Sequence, residues 1–256
     1  MKVYQIGEHG RSYIGHWFQI MLPSLQHVKF ENDFEKIKLC FKLDYTKEPY
    51  QKESLDILSD IIEVVPFDPN SILLPFTRIQ TGSKEEFEGY NFLRELYLSR
   101  MKNDFDVSQY KKIYIRRNRS HLCEGNEMVG NERNRQILNE DDLVNKLDHM
   151  GIKAINLEDY SVSQKIQIFN KASLIVGPNG GGLVFSMFAG LSTKIIEINP
   201  SKPYQTDQRH YQFISKALGL DFSSYNKAEK IGRNNMLINV DDVIEFIIDI
   251  YGRSNF

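Results

Sequence analysis

Cysteine is scarce: Cys40 and Cys123 are the only two in 256 residues, too few and too far apart to staple a small secreted fold or to frame a zinc site. A reducing compartment fits that usage. No apolar run approaches the roughly 18 residues that a membrane span needs, and the N-terminus turns polar at Glu8 before a signal-peptide core can form. The expectation is a soluble, cytoplasmic chain. An excess of one charge is also missing, because 32 Lys and Arg stand against 34 Asp and Glu, a formal net charge of −2. That balance argues against bulk nucleic-acid binding, so the local cluster Lys111, Lys112, Arg116, Arg117 and Arg119 needs a local explanation. Internal repeats and low-complexity tracts are absent as well.

What is present is an ordinary globular composition, with 41% hydrophobic and 26% charged residues, on a chain long enough for one large α/β domain or two smaller ones. Strand and helix signals alternate throughout. In the first half, 3–7, 37–43, 64–67 and 72–76 read as strands, and 16–28, 51–62 and 84–101 carry apolar residues at helical spacing. In the second half the strands are 112–116, 152–157, 174–176 and 194–198. Between and after them lie helices at 139–149, 161–172, 183–189, 207–218 and 240–251, with Gly151 stopping the first. Strands joined by helices of this length imply right-handed crossovers and parallel sheets. The polar stretch 102–110 is the expected boundary, dividing an N-terminal domain, 1–108, from a C-terminal domain, 109–256. The last helix is a candidate to pack back on the first. The fold expected is α/β, with two Rossmann-like parallel-sheet domains facing a cleft.

Chemistry concentrates where strands end. Leu174 to Leu183 (LIVGPNGGGL) takes an apolar strand into Gly177, Asn179, Gly180, Gly181 and Gly182 and then into a helix at Leu183. Glycine lets backbone approach a ligand closely, and the first N–H groups of the helix can hold an anion, with a nucleotide phosphate as the expected guest. The plainer alternative is a tight strand-to-helix turn. The 112–116 strand delivers Arg116 and Arg117, able to grip a diphosphate, and the 194–198 strand delivers Glu197, able to accept from ribose hydroxyls. Each alone could equally be a solvated strand end. A nicotinamide-dependent oxidoreductase is the rival enzyme, since Glu197 lies about where a ribose-binding acid belongs. Its G-x-G-x-x-G pattern cannot be laid on these glycines, which also come late in their half. A non-catalytic nucleotide- or carbohydrate-binding module is the rival of another class. Asp104-Phe105-Asp106 has the letters of a metal-binding Asp-x-Asp, but Phe105 is expected to pack inward, and no metal is assigned.

Five segments recur in order and spacing over about a third of the chain: Tyr114-Ile115-Arg116-Arg117, the run from Arg135 to Leu143 (RQILNEDDL), the run from Ser163 to Phe169 (SQKIQIF), Gly177 to Leu183, and Ile196-Glu197-Ile198-Asn199-Pro200. They resemble the C-terminal half of glycosyltransferase family 61, which contains plant β-1,2-xylosyltransferases and animal O-GlcNAc-type transferases. A weaker match, His16-Trp17-Phe18 with Leu22-Pro23, resembles that family's His-Trp helix. The resemblance implies a two-domain GT-B fold, with the sugar nucleotide bound by the C-terminal half and the acceptor by the N-terminal half. It implies that Arg117 and Arg135 hold the diphosphate and that Glu197 contacts the nucleoside. Two positions depart from the family pattern. Asn179 stands where the glycine motif has histidine, and Ile20 stands where an acid follows the histidine by four residues.

The same resemblance implies inversion at the sugar C1 by an acceptor hydroxyl, with the nucleoside diphosphate leaving. Glu8, His9 and His16, which follow the first strand, are the candidates for the base. The function expected is transfer of a sugar, xylose before N-acetylglucosamine, from a UDP-sugar to a hydroxyl of a glycan or glycoprotein acceptor. UDP-xylose would be a co-substrate, with no metal or other cofactor required and no nucleic-acid partner. Family members in eukaryotes are usually membrane-anchored, so a bacterial or viral enzyme, or a trimmed chain, is expected here.

Overall fold

The computed structural model describes residues 2–7, 14–28, 36–42, 44–45, 48–75, 83–117, 136–201, 210–232, 235–252 and 255. The chain forms two compact units, one of Met1–Phe105 with Ser161–Gln167 and one of Asp106–Tyr160 with Ile168–Phe256.

The first unit holds four parallel strands, β1 (Val3–Gln5), β2 (Ile37–Cys40), β3 (Ile62–Val64) and β4 (Ile72–Leu73), in the order β3-β2-β1-β4. Two helices belong to it, α2 (Pro49–Ile57) and α3 (Lys84–Leu98), the latter capped by Ser83, whose Oγ accepts from Glu86 N–H. The helix expected over 16–28 is broken into three pieces. A single α turn, α1 (Ile14–His16), passes into a π turn (Trp17–Met21) and then a 3-10 turn (Leu22–His27). Pro23 explains the break, because it has no N–H to give the Gln19 carbonyl and its ring would clash there. Leu22 N–H bonds instead to Trp17 O, five residues back. Trp17 is fully buried and donates from Nε1 to Ser54 Oγ at 2.8 Å, while Tyr97 donates to Ser54 O at 3.0 Å.

The second unit holds six strands: β5 (Lys112–Arg116), β6 (Lys153–Asn156), β7 (Leu174–Pro178), β8 (Lys194–Pro200), β9 (Asp221–Ile231) and β10 (Asn235–Leu237). Their order is β10-β9-β8-β7-β5-β6, parallel except for the β9–β10 pair. The helices are α4 (Glu140–His149), α5 (Val162–Lys171), α6 (His210–Leu218) and α7 (Val240–Tyr251), with a 3-10 helix over Gly181–Phe188. Residues Ser161–Gln167, which include the start of α5, cluster with the first unit, where Val162 N–H donates to Glu53 Oε2 at 2.7 Å. Gly151 ends α4 in the left-handed region (φ +66°), with Ile152 N–H reaching back to Leu147 O. The last helix, α7, packs on α4, β8 and β9 of this unit. Its Val243 and Ile247 join Tyr114, Leu143, Leu147, Val176 and Ile196 in one buried cluster.

The parallel strands of the two sheets meet the sequence expectation, which includes neither β9 nor the antiparallel β10. The segment DFSSYNKAEKI buries only Tyr225 and Ala228 deeply, so its sequence carries no strand-like apolar alternation. Its place is set by backbone pairing with β8 on one side and β10 on the other.

Tyr90, Tyr97 and Tyr114 are fully buried, and burial before any other cause raises the pKa of each. The charge of Glu140 adds to the rise at Tyr114. Each keeps its proton in the folded chain at pH values where the unfolded chain has lost it. Stability is therefore full below the ordinary tyrosine value of 10.0 and falls as pH climbs above it. Urea midpoints at about pH 8 and about pH 10.5 are expected to show this loss, with a shallower decline in Tyr114→Phe. An equal decline in that variant would contradict the assignment.

Candidate active site

In the second sheet the strand order reverses between β5 and β7, and a ligand of a parallel sheet sits beyond the carboxyl ends of the strands at such a point. The glycine turn leaves β7 there, and Arg116 and Arg117 leave β5 beside it.

Side chains alternate across a strand, so the two adjacent arginines go to opposite faces. Tyr114 and Arg116 share one face and meet the start of α4. Tyr114 OH donates to Glu140 Oε1 at 2.8 Å, Arg116 Nε lies 3.7 Å from Glu140 Oε2, and Arg116 Nη2 lies 2.5 Å from Asp141 Oδ1. Ile115 and Arg117 share the other face and meet the glycines. A Cβ on Gly177 would lie 3.1 Å from Ile115 Cβ, and one on Gly182 would lie 2.7 Å from Leu157 Cδ1 and 3.4 Å from Ile115 Cγ2. At Gly180 a Cβ would lie 2.1 Å from Arg117 Nη2 and 2.8 Å from its Cζ. The guanidinium therefore rests directly on the turn.

The backbone of Gly180 is extended (φ 172°), a conformation open to any residue, so a side chain here would meet no dihedral penalty and would displace only the Arg117 guanidinium. Its carbonyl accepts from Leu183 N–H at 3.0 Å and from Tyr211 OH, on α6, at 2.6 Å. The Leu183 bond closes the first turn of the 3-10 helix, and the N–H groups of Gly181 and Gly182 precede it. An anion at the turn would meet those two N–H groups beside the Arg117 guanidinium.

On the other side of the turn, Asn179 N–H pairs with Ile198 O at 3.1 Å, which continues the β7–β8 ladder by one residue. Asn179 Nδ2 donates to Glu197 Oε1 at 2.6 Å and Asn199 Nδ2 donates to Glu197 Oε2 at 2.7 Å. Asn179 and Glu197 are each 3% exposed. Both carboxylate oxygens thus face amide donors within the protein.

Of the other sequence candidates, His16 ends α1 immediately before the π turn and is half-buried. Glu8, His9 and Arg135 lie outside the described residues, as does Cys123. Leu183 is fully buried. Phe105 N–H donates to Gln167 Oε1 at 3.2 Å, and Gln167 Nε2 donates to Asp104 at 3.1 Å. Asp106 accepts from Ser108 N–H at 2.9 Å, a bond that also lowers its pKa. Among the described residues, no group of three or more His, Cys, Asp or Glu is placed to hold a metal ion.

Sequence reading did not single out Glu140 or Tyr211. In the sequence Glu140 stands only within the run from Arg135 to Leu143, and nothing local ties it to the face of β5 that carries Tyr114 and Arg116. No local pattern pointed to Tyr211.

The family model described as Glycosyltransferase 61 matches residues 14–196, from α1 through the glycine turn and into β8. The chain belongs to glycosyltransferase family 61. Among solved structures it is similar to the ADP-heptose LPS heptosyltransferase II of E. coli, with a TM-score of 0.52, 9% identity and 100% of each chain covered. At that identity the likeness establishes the fold alone, and the fold is of the GT-B type. No curated protein sequence matches the chain. As a glycosyltransferase it uses a sugar donor and an acceptor, and among the described residues no helix is long and apolar enough to cross a membrane.

Replacing Gly180 by alanine tests the site geometry. The new Cβ is compatible with the backbone but not with Arg117, whose flexible end must move away. The melting temperature is expected to stay within about 3 °C while nucleotide affinity falls about 10-fold. Unchanged affinity would show that Arg117 on Gly180 does not serve binding.

Proposed function

We propose that this family 61 member is an inverting, metal-independent transferase that moves a sugar from a UDP-sugar to a hydroxyl of a glycan or glycoprotein. The observation that carries the reading is the Arg117 guanidinium resting on Gly180 at the switch point of the second sheet. In this reading the diphosphate lies against Arg117 and the N–H groups of Gly181 and Gly182, with Arg135 as a further basic group. The acceptor oxygen bonds to the sugar C1 as the bond from C1 to the diphosphate oxygen breaks. The hydroxyl proton passes to a base, for which Glu8, His9 and His16 are the candidates. Preorganised donors neutralise the charge growing on the leaving diphosphate, and loss of one such donor costs about 10²–10³ in rate. Asn179 and Glu197, joined to each other, shape the turn from the side opposite Arg117.

Xylose is placed before N-acetylglucosamine as the transferred sugar. The glycine turn follows β7, the third strand of its sheet in chain order, which speaks against a nicotinamide dinucleotide.

Thermal-shift measurements with UDP, GDP, CMP, ADP and NAD test the donor reading. ADP belongs in the set because the heptosyltransferase is named for ADP-heptose. UDP is expected to stabilise the protein, by about 2.7 kcal/mol at 100 times its Kd, and NAD is not. Arg117→Ala should abolish most of the UDP shift. Stabilisation by NAD with none from UDP would overturn the proposal.

A further inference from the structure

Adjacent arginines at a phosphate site invite the assumption that both hold phosphate, but their surroundings differ. Arg116 faces two carboxylates, at 3.7 Å from Glu140 and 2.5 Å from Asp141, whereas Arg117 turns to the glycines. Glu140 touches both arginines in different ways. It is 2% exposed, and its Oε1 accepts from Tyr114 OH at 2.8 Å and from the backbone N–H of Arg117 at 3.3 Å. A buried carboxylate is costly unless it is hydrogen-bonded, so these donors are strongly held.

The carboxylate itself is fixed in place. Asn139, just before it, does not cap α4 through its side chain. Its amide instead pairs with the backbone of Ile238, Nδ2 donating to Ile238 O at 2.9 Å and Oδ1 accepting from Ile238 N–H at 3.2 Å. Leu138 N–H adds a bond to Met236 O at 2.9 Å. The start of α4 is thus stitched to the β10 end of the unit, and Glu140 leaves that anchored point to reach β5.

We infer that Glu140 is a positioning residue for donor binding: it grips the Arg117 backbone as the chain leaves β5 and so aims the Arg117 side chain at the glycine turn. Arg116 serves to neutralise the acids of α4 and does not hold the diphosphate. A fixed backbone origin restricts the positions open to the Arg117 guanidinium and so preorganises it toward the turn. The inference rests on the proposed diphosphate site.

A double-mutant cycle on nucleoside diphosphate affinity tests it, with UDP as the probe and calorimetric Kd as the readout. Arg117→Ala and Glu140→Ala are each expected to weaken UDP binding by about 10- to 100-fold. The double variant should be no weaker than Arg117→Ala alone. Arg116→Ala should stay within about 3-fold of the parent chain. Glu140→Gln, which keeps an acceptor oxygen, should recover most of the affinity, while Glu140→Asp, which keeps the charge but loses reach, should not. Should Glu140→Ala not fold, the cycle runs with Glu140→Asp. Independent, multiplying losses at 117 and 140, full affinity in Glu140→Asp, or equal losses at 116 and 117 would each overturn the role of Glu140. Failure of the parent chain to bind UDP would instead remove the donor site on which the inference rests.

Discussion

A guanidinium can lie on a peptide turn only where no side chain stands in between, and the contact of Arg117 with Gly180 governs the architecture of this site. The sheet must bring two strand ends together, which it does by reversing its order between β5 and β7. The residue after β5 must face the turn, which strand alternation secures by sending Tyr114 and Arg116 one way and Ile115 and Arg117 the other. The turn must stay bare, and Gly177, Gly180 and Gly182 each sit where a Cβ would press on Ile115, Arg117 or Leu157. Ile115 and Leu157 thus close the floor beneath the turn while Arg117 covers its edge.

Two buried carboxylates flank this contact, and each is satisfied by neighbours supplied by the same sheet. Glu140 takes a phenol and a backbone N–H from β5 and its edge. Glu197 takes the amides of Asn179 and Asn199 from the ends of β7 and β8. Carboxylates buried at an anion site work against the anion unless their charge is drawn off by fixed donors. Asn179, at the position where the family resemblance expects histidine, does this with a neutral amide that has no titrating proton of its own. Tyr211 adds a third anchor by donating to the carbonyl of Gly180.

Much of this frame could be read in the chain. The alternation of strands and helices gave two parallel sheets, and the LIVGPNGGGL run, Arg117 and Glu197 were recognisable as strand-end residues. Gly151 could be read as a helix stop. Other features depend on long-range pairing that leaves little mark on a local pattern. Strand β9 is mostly polar and is held by its neighbours, so hydrophobic periodicity missed it. The interruption at Trp17–Met21 follows from Pro23, whose missing N–H and ring conflict with the Gln19 carbonyl, an effect that apolar spacing alone does not carry. The tie between Glu140 and Tyr114 spans 26 residues, and the one between Tyr211 and Gly180 spans 31. Neither spacing carries a helical or strand period.

In the proposed function the turn at 180–182 and Arg117 hold the donor's diphosphate together. A crystal structure of the protein with UDP bound tests it most directly. The diphosphate is expected at the carboxyl ends of β5 and β7, with its oxygens accepting from the N–H groups of Gly181 and Gly182 and from the Arg117 guanidinium. A diphosphate held elsewhere in the chain, with Arg117 still lying on Gly180, would contradict it.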